Sequence, residues 1–236
     1  MANRGYGQFC GLARAAEVVG QRWTLLILRD LLVGPRRYSD LSSGLPGIPS
    51  NLLSTRLREL ESEGLVTREL PGDGGRSVVY RPTRRAEQLA PALAELGRWG
   101  AATMREPRDG EIVTEGSLVA ALRAAALPDA MSRTARTLTY VVMAGDAVAH
   151  IVVRDGAVTV APGRHTDPDL TIVAGPRFRD LLAGEVEPAD AEATGAATLE
   201  GDPDLLVEFC SAFRVPYTDT SHMATGPTGN HHPRDT

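Results

Sequence analysis

The chain has 236 residues, 42% of them apolar, and a net charge of −5, an ordinary composition for a soluble protein with room for two domains. It contains no run of about 18 apolar residues and no apolar stretch at its start, so we expect neither a membrane-spanning helix nor a signal peptide, and a cytoplasmic location. Its two cysteines, Cys10 and Cys210, lie 200 positions apart, a spacing that indicates neither a disulfide framework nor a zinc site.

The charge is unevenly distributed along the chain. Residues 1–108 hold 16 arginines and 11 acidic residues, whereas residues 109–236 hold 9 arginines and 19 acidic residues, so the halves carry +5 and −10. Basic charge attracts a phosphate backbone and acidic charge repels it. We therefore expect any nucleic acid to meet the first half of the chain.

Two helices are predicted before residue 36. Residues 12–19 predict a short helix, and Trp23–Leu32 predicts a second helix that Gly34–Pro35 ends. The apolar residues of the second helix nearly encircle its axis, so we expect it to be buried.

A helix-turn-helix pattern follows. Ser39 is the expected N-cap of a short helix whose inward residues are Leu41 and Leu45. The turn Pro46–Pro49 separates it from a longer helix, which we expect Ser50 to cap. The core stripe of the longer helix, at positions i, i+4 and i+7, consists of Leu53, Leu57 and Leu60.

A two-stranded wing completes the pattern. Gly64 is the expected C′ residue of the longer helix, and the strand-like runs Leu65–Leu70 and Ser77–Arg81 follow, joined by a turn rich in Gly and Asp. Thr83 is then expected to cap a last long helix over residues 84–104.

This order of elements places a helix in the major groove of DNA and a hairpin on the backbone beside it. We therefore predict that the chain binds a double-stranded DNA operator. With the leucines of the longer helix inward, its outward stripe and flank carry residue types that read base edges: Ser50, Asn51, Ser54, Thr55, Arg56 and Arg58. For each residue taken singly, a solvated helix face that needs polar side chains remains the alternative.

Three further arginines are candidates for contacts with the DNA backbone. Arg36 and Arg37 directly precede the first helix of the motif, where a side chain reaches phosphate. Arg76 lies at the predicted tip of the wing, from which it reaches phosphate or a minor groove.

The first half resembles the HxlR family of winged-helix regulators over residues 10–105. The resemblance is carried by Cys10, Val19–Leu31, Arg37–Leu41, Leu52–Leu60, Gly64–Val66 and Tyr80–Thr83. It implies a homodimer on a near-palindromic site, built from the N-terminal helix and the last helix of the winged domain. An apolar stripe on that last helix suits such an interface, with packing inside its own chain as the alternative: Leu89, Leu93, Leu96 and Trp99.

Cys10 stands where many members of this family carry a thiol. In some of them the thiol senses oxidants or electrophiles, so the resemblance makes Cys10 a candidate redox sensor. Reactive thiols need access and an electropositive surrounding. A purely structural cysteine is the alternative.

The second half predicts a mixed domain. Residues 115–126 predict a helix, and turns at Gly145–Asp146 and Asp155–Gly156 indicate a hairpin meander. A short helix over 178–182, a strand within 195–201 and a helix over 202–213 follow the meander. Four alternating runs predict its strands: Leu138–Met143, Ala147–Val153, Ala157–Val160 and Leu170–Val173.

Over residues 115–214 this half resembles the sterol-carrier-protein type of lipid-binding domain. The resemblance is carried by Val152–Val160, Pro168–Ile172, Leu181–Gly184 and Gly195–Asp202. It implies a sheet covered by helices, an apolar pocket between them, and a fatty-acyl, sterol-like or other hydrophobic small-molecule effector. A domain that only extends the dimer, with the pocket filled by its own side chains, is the alternative.

The sequence therefore predicts an α+β protein with three parts: a winged helix-turn-helix domain over 1–108, a sterol-carrier-like domain over 109–217, and a disordered tail over 218–236. No hydrolase, metalloprotease or nucleotide-binding motif is present, so we expect no catalytic residues, no metal, no cofactor and no enzyme. The predicted function is a DNA-binding transcriptional regulator that senses a hydrophobic ligand and does not bind membranes. Repression by promoter occlusion is the predicted mode, and activation is its alternative. The alternative is a hydrophobic-ligand carrier or protein-interaction module whose winged domain serves dimerisation.

Overall fold

The computed structural model describes residues 5–70, 77–127 and 136–218. The helices and strands of the first half are α1 (Gly11–Val19), α2 (Thr24–Val33), β1 (Arg36–Arg37), α3 (Tyr38–Gly44), α4 (Ser50–Ser62), β2 (Val66–Glu69), β3 (Val79–Pro82), α5 (Arg84–Glu87) and α6 (Ala90–Ala101). Its three strands form an antiparallel sheet in the order β1-β3-β2. The helix-turn-helix and the wing strands that flank the turn are thus confirmed, and β1 is an additional strand.

The core of the first half forms around α2 and α4. In α2, Ile27, Leu28 and Leu31 are completely buried, whereas Leu26 is 41% exposed, so the helix is buried on most but not all of its surface. The leucine stripe predicted for α4 lies inward with Leu41 and Leu45, as expected from its spacing: Leu53, Leu57 and Leu60.

Gly64 ends α4 as the sequence predicts. Its φ of +67 is a conformation that a residue with a Cβ rarely adopts. The backbone N–H of Gly64 donates to the carbonyl of Glu61, and that of Leu65 donates to the carbonyl of Leu60. These two bonds form a Schellman motif, which satisfies carbonyls at the helix end and turns the chain into β2.

Three predicted boundaries are wrong. Ser39 lies inside α3, because Arg37 is the N-cap and the Asp40 carboxylate accepts the Arg37 N–H at 2.9 Å. Ser50 is the first residue of α4, because Pro49 holds the extended N-cap conformation and accepts the first helical hydrogen bonds. The helix over 84–104 is two helices, since Pro91 lacks the N–H that would continue α5 into α6. Thr83 does cap α5.

The second half is a five-stranded sheet with helices. Its helices and strands are α7 (Glu115–Ala125), β4 (Leu138–Ala144), β5 (Ala147–Arg154), β6 (Ala157–Pro162), β7 (Leu170–Ala174), α8 (Phe178–Ala183), a 3-10 turn (Pro188–Asp190), β8 (Ala197–Gly201) and α9 (Leu205–Ala212). The strand order is β6-β5-β4-β7-β8, so the predicted meander holds for β4 to β6. Strand β7 instead pairs parallel to β4, beside the meander.

The interior between this sheet and its helices is filled with aromatic side chains. Tyr140, Phe209 and Phe213 are completely buried, and the rings of Phe209 and Phe213 stack at a centroid distance of 4.7 Å. Phe178 and Tyr140 each lie within 6.5 Å of Phe209, measured between ring centroids. Side chains of the domain itself therefore occupy the space between its sheet and helices.

Helix α7 joins the two halves, because it packs against both α2 and α6. Small residues permit the close approach of α6: a Cβ on Gly97 would lie 3.8 Å from the Cβ of Ala124. The guanidinium of Arg179 donates to the carbonyl of Ala101 at 2.8 Å, at the far end of α6. The two halves are thus packed side by side through α7.

Candidate nucleic-acid interface

The recognition helix α4 is fixed to α3 by Tyr38, a residue that sequence analysis did not single out. Its hydroxyl donates to the carbonyl of Ser50 at 2.7 Å, and its oxygen lies 3.3 Å from the hydroxyl oxygen of Ser54. These contacts hold the start of α4, where the candidate base-reading residues lie. The signal was present in the sequence, because Tyr38 is the aromatic residue directly before the polar stretch of α3.

The outward stripe of α4 contains both exposed and half-buried residues. Ser50, Asn51 and Arg58 are exposed, whereas Ser54 and Thr55 are half-buried. The hydroxyls of Ser54 and Thr55 donate to carbonyls four residues back, at 3.0 and 2.9 Å. Their oxygen lone pairs remain able to accept a hydrogen bond from a base or a neighbouring side chain.

Arg58 extends along this stripe on weak contacts. Its Nε donates to the Ser54 carbonyl at 3.3 Å, and its Nη2 donates to the Thr55 hydroxyl at 3.4 Å. Both distances lie at the long end of the hydrogen-bond range, so reorienting the guanidinium costs little. The guanidinium of Arg58 is thus only weakly held on the outward face of α4.

Arg56 has a different environment. Its side chain is 12% exposed, and its guanidinium pairs with Glu59 while donating to the Arg22 carbonyl at 3.2 Å and the Gln21 amide oxygen at 3.3 Å. These partners connect α4 to the turn between α1 and α2. In this arrangement Arg56 holds helices together.

The candidate phosphate contacts Arg36 and Arg37 differ in their surroundings. Arg37 is exposed at the start of α3. The Arg36 guanidinium instead pairs with the carboxylate of Glu115, the first residue of α7, at 2.9 Å. Arg76 lies outside the described residues.

A buried acid lies beside this ion pair. Asp30 of α2 is 3% exposed, and burial raises the pKa of its carboxyl, while Arg29, which donates to Oδ1 at 2.8 Å, and Arg36 act in the opposite direction. A Cβ on Gly116 would lie 2.1 Å from the same oxygen, so α7 approaches α2 by lacking a side chain there. Asp30 therefore places a buried carboxyl group of α2 directly against the start of α7.

The candidate dimer residues divide into two groups. Leu89 and Leu93 pack against the core of the first half, whereas Leu96 is 52% and Trp99 is 79% exposed. Near the other end of the chain, Cys10 is exposed beside Phe9, which is fully exposed. Each helix thought to build the dimer thus has an exposed apolar group on or directly before it.

Cys210 differs from Cys10 in its surroundings. It is buried in α9, and burial raises the pKa of its thiol to about 11. Among residues 5–70, 77–127 and 136–218, no group of histidine, cysteine and acidic side chains is arranged to hold a metal ion. Within the same ranges, no helix is long and apolar enough to cross a membrane.

Comparisons with known proteins match the first half of the chain. The HxlR-like helix-turn-helix family matches residues 18–108. YkvN of Bacillus subtilis (strain 168), an uncharacterized HTH-type transcriptional regulator, is 41% identical over 91 residues, which are 39% of this chain and 77% of that protein. YodB of the same strain, an HTH-type transcriptional regulator, is 32% identical over 36% of this chain and 76% of its own length.

Solved structures are also similar to the first half of the chain, and HypR is an example. The redox regulator HypR in its oxidized form is 26% identical, with a TM-score of 0.38, and the match covers 40% of this chain and 98% of HypR. The YkvN match, at 41% identity over most of that protein, agrees with the helix-turn-helix and wing found in residues 18–108. The chain therefore belongs to the HxlR-like helix-turn-helix family of transcriptional regulators.

Proposed function

We propose that this regulator is a homodimeric repressor that reads an operator with α4 and occludes a promoter. The observation that carries the proposal is the outward face of α4, where exposed Asn51 and Arg58 lie on a helix whose leucines are buried. Asn pairs with adenine and Arg with guanine in the major groove. Ser50, Ser54 and Thr55 complete the face with groups that accept or donate hydrogen bonds.

Backbone contacts orient such a helix on DNA. Arg37, exposed at the start of α3, and Arg76 of the wing are proposed to bind phosphate. Arg36 is proposed to bind phosphate as well, once its ion pair with Glu115 breaks. Arg56 is proposed to stabilise the position of α4 through its contacts with the α1–α2 turn. The +5 charge of residues 1–108 favours this side of the molecule for DNA, and the −10 charge of the rest disfavours the other.

A homodimer is proposed because apolar side chains are exposed on α6 and around α1. Trp99 and Leu96 of α6, with Phe9 before α1, are groups whose burial against a second copy would be favourable. Two copies related by a two-fold axis present two α4 helices to half-sites one helical turn apart.

The second half is proposed to be a ligand-responsive domain of sterol-carrier type. Its sheet and helices support the resemblance. For such a domain to regulate, its ligand must bind the DNA-competent and DNA-incompetent conformations unequally. The filled aromatic interior around Phe209 favours an effector that enters elsewhere or displaces these side chains.

Fluorescence anisotropy on DNA from the protein's own upstream region, against a scrambled duplex and across a salt series, tests the proposal. Tighter binding to the native duplex at physiological salt is the expected result. Equal binding to both duplexes that disappears with salt would reflect backbone attraction alone. That result would favour the alternative function, a carrier of hydrophobic ligands.

Two arginine variants distinguish the proposed base recognition by Arg58 from the structural role of Arg56. Arg58→Ala should lose about 1–3 kcal/mol of specific DNA binding, with an unchanged melting temperature. Arg56→Ala should lower the melting temperature, since it removes a link from α4 to the α1–α2 turn. Arg154→Ala, at an exposed position in β5, is the control and should change neither.

A further inference from the structure

An open cleft lies where the last winged helix meets the second half. Its volume is about 420 Å³, within the range of small-molecule sites. Ala94 and Arg98 of α6 form one wall, and Arg123 of α7 and Ala126, the residue that follows α7, lie beside them. The hairpin residues 156–158 and Val160 of β6 form the other wall. The cleft is thus built from both halves of the chain and lies outside the aromatic interior of the second half.

Arg123 has no acidic partner among the residues that the structure describes. Its Nε and Nη2 donate to the Val160 carbonyl at 3.2 and 2.8 Å, and its Nη1 donates to the Leu32 carbonyl at 2.9 Å. These partners are neutral, and none of the ion pairs in the described part of the chain includes Arg123. Arg123 is exposed overall, and partial burial of its guanidinium lowers the pKa without removing the proton.

Arg98 differs, because it is already neutralised. Its guanidinium forms an ion pair with Glu95 and donates to the Ala124 carbonyl at 2.6 Å. The positive charge available to an occupant of the cleft is therefore that of Arg123. The three donor groups of Arg123 that contact carbonyls use three of its five N–H bonds, which leaves two for a further acceptor.

The remaining walls are small and apolar. Ala94, Ala126, Ala157 and Val158 present methyl groups, and Gly156 keeps the hairpin turn narrow with a φ of +77. A purely polar anion would gain nothing from these methyl groups, and a purely apolar molecule would leave Arg123 uncompensated. Both features together select an amphipathic anion.

We propose that this cleft binds a small organic anion, whose acidic group pairs with Arg123 and whose apolar body lies on the alanines and valines. The occupant touches α6 on one side and the β5–β6 hairpin on the other. Arg123 also holds the carbonyl of Leu32 at the end of α2, so the bound acid contacts a residue fixed to the winged half. The effect of the ligand on DNA rests on the proposed function, but its binding does not.

The binding test uses the full-length protein without DNA. The probe is 1-anilinonaphthalene-8-sulfonate, an anion with an apolar body whose fluorescence rises on binding, and the competitors are octanoate and 1-octanol. Octanoate should displace the probe at concentrations at least tenfold lower than 1-octanol, because only octanoate has the acidic group. Equal competition by the two would overturn the role of Arg123.

Two variants locate the site. Arg123→Gln should weaken binding of both probe and octanoate at least tenfold, whereas Arg164→Gln, an exposed arginine outside the cleft, should leave it unchanged. Because Arg123 also supports two carbonyls, Ala157→Trp is the second test: it fills the cleft from an exposed hairpin position and should abolish binding in a folded protein. Undiminished binding by a folded Ala157→Trp variant would overturn the proposal.

A DNA arm separates this site from the proposed function. Octanoate should change operator affinity in the native protein and not in Ala157→Trp. If the native protein binds octanoate but no duplex specifically, the cleft stands and the repressor function fails. If it binds the operator but neither probe nor octanoate, the repressor function stands and the cleft is refuted as an anion site.

Discussion

Arg36 and Glu115, 79 positions apart in sequence, form an ion pair of 2.9 Å that joins β1 directly to the start of α7. Arg36 lies two residues before Tyr38, where the helix-turn-helix begins, and Glu115 opens the first helix of the second half. Their side chains are 20% and 40% exposed, so water screens part of the attraction. Arg36, which is proposed to bind DNA phosphate, is thus held by the carboxylate of Glu115 in the acidic half. The DNA phosphate and this carboxylate would compete for the same guanidinium.

Replacing that carboxylate should strengthen DNA binding. Glu115→Gln frees Arg36 and removes one negative charge near the backbone, so we expect operator affinity to rise several-fold at low salt. If Arg36 then neutralises one more phosphate, the plot of log affinity against log salt should steepen by about 0.9. Anisotropy across a salt series measures both, with Glu106→Gln as the matched control for loss of an exposed acid. An unchanged slope would mean that Arg36 has only a structural role.

Gly116→Ala should destabilise the contact between α2 and α7. The added Cβ would lie 2.1 Å from Oδ1 of buried Asp30, which has little room to move, and overpacking of this kind costs about 1–3 kcal/mol. In an Asp30→Ala background the same substitution should cost much less, because the clashing oxygen is gone. Urea unfolding of the four proteins in this cycle gives the coupling free energy. Additive effects would contradict the close packing of these two residues.

Trp99→Glu should convert the proposed homodimer to a monomer. The indole is 79% exposed on α6, so a charge there costs the single chain little but blocks an apolar interface. Light scattering after size exclusion reads the mass directly. Val207→Glu, at a 60% exposed apolar position on α9, is the matched control and should leave the mass unchanged. A Trp99→Glu protein that stays dimeric would place the interface elsewhere.

The two thiols should differ sharply in reactivity. At pH 8 iodoacetamide should modify exposed Cys10 in the native protein and leave Cys210 intact, because burial shields Cys210 and raises its pKa to about 11. A raised thiol pKa means that the folded state favours the protonated form. The contribution of Cys210 to the free energy of unfolding therefore decreases only as the pH rises from about 9 towards 11. In guanidinium chloride both should react, which mass spectrometry counts.

The redox hypothesis for Cys10 has its own test. Limited diamide or quinone treatment of the intact protein should modify Cys10 and change operator affinity if the thiol is a sensor. A Cys10→Ser variant should bind DNA normally and ignore the oxidant. Native protein whose Cys10 stays unmodified would end the sensor hypothesis.

Local patterns predicted most of the fold. The i, i+4, i+7 leucines of α4 and the glycine that ends it depend on neighbours within one or two turns, so the sequence carries them in full. The same holds for Thr83, whose capping bond spans three residues. The strands of the second half followed from alternation between turns.

The features that local patterns did not predict depend on distant parts of the chain. Strand β1 has only two residues, too short for any alternation, and it exists because β3 pairs with it. The roles of Arg36 and Arg56 depend on partners 79 and about 34 positions away, Glu115 and the carbonyl of Arg22. The residue type predicted that both side chains are positively charged, but not which oxygen atoms their guanidinium groups contact. Arg58, whose contacts all lie within four residues, kept the environment that its position on α4 indicated.

Helix α2 has one side in the winged core and presents the other to α7, where Asp30 meets Gly116. A chain cut after residue 108 would still contain every residue of α3, α4 and the wing, but it would lay bare the acid that α7 covers. In such a fragment the side of α2 that packs against α7 would be exposed to water, and Arg36 would lack its ion pair with Glu115. Truncation would therefore change the surroundings of α2 as well as remove the second half, so point substitution is the cleaner way to dissect the function of this protein.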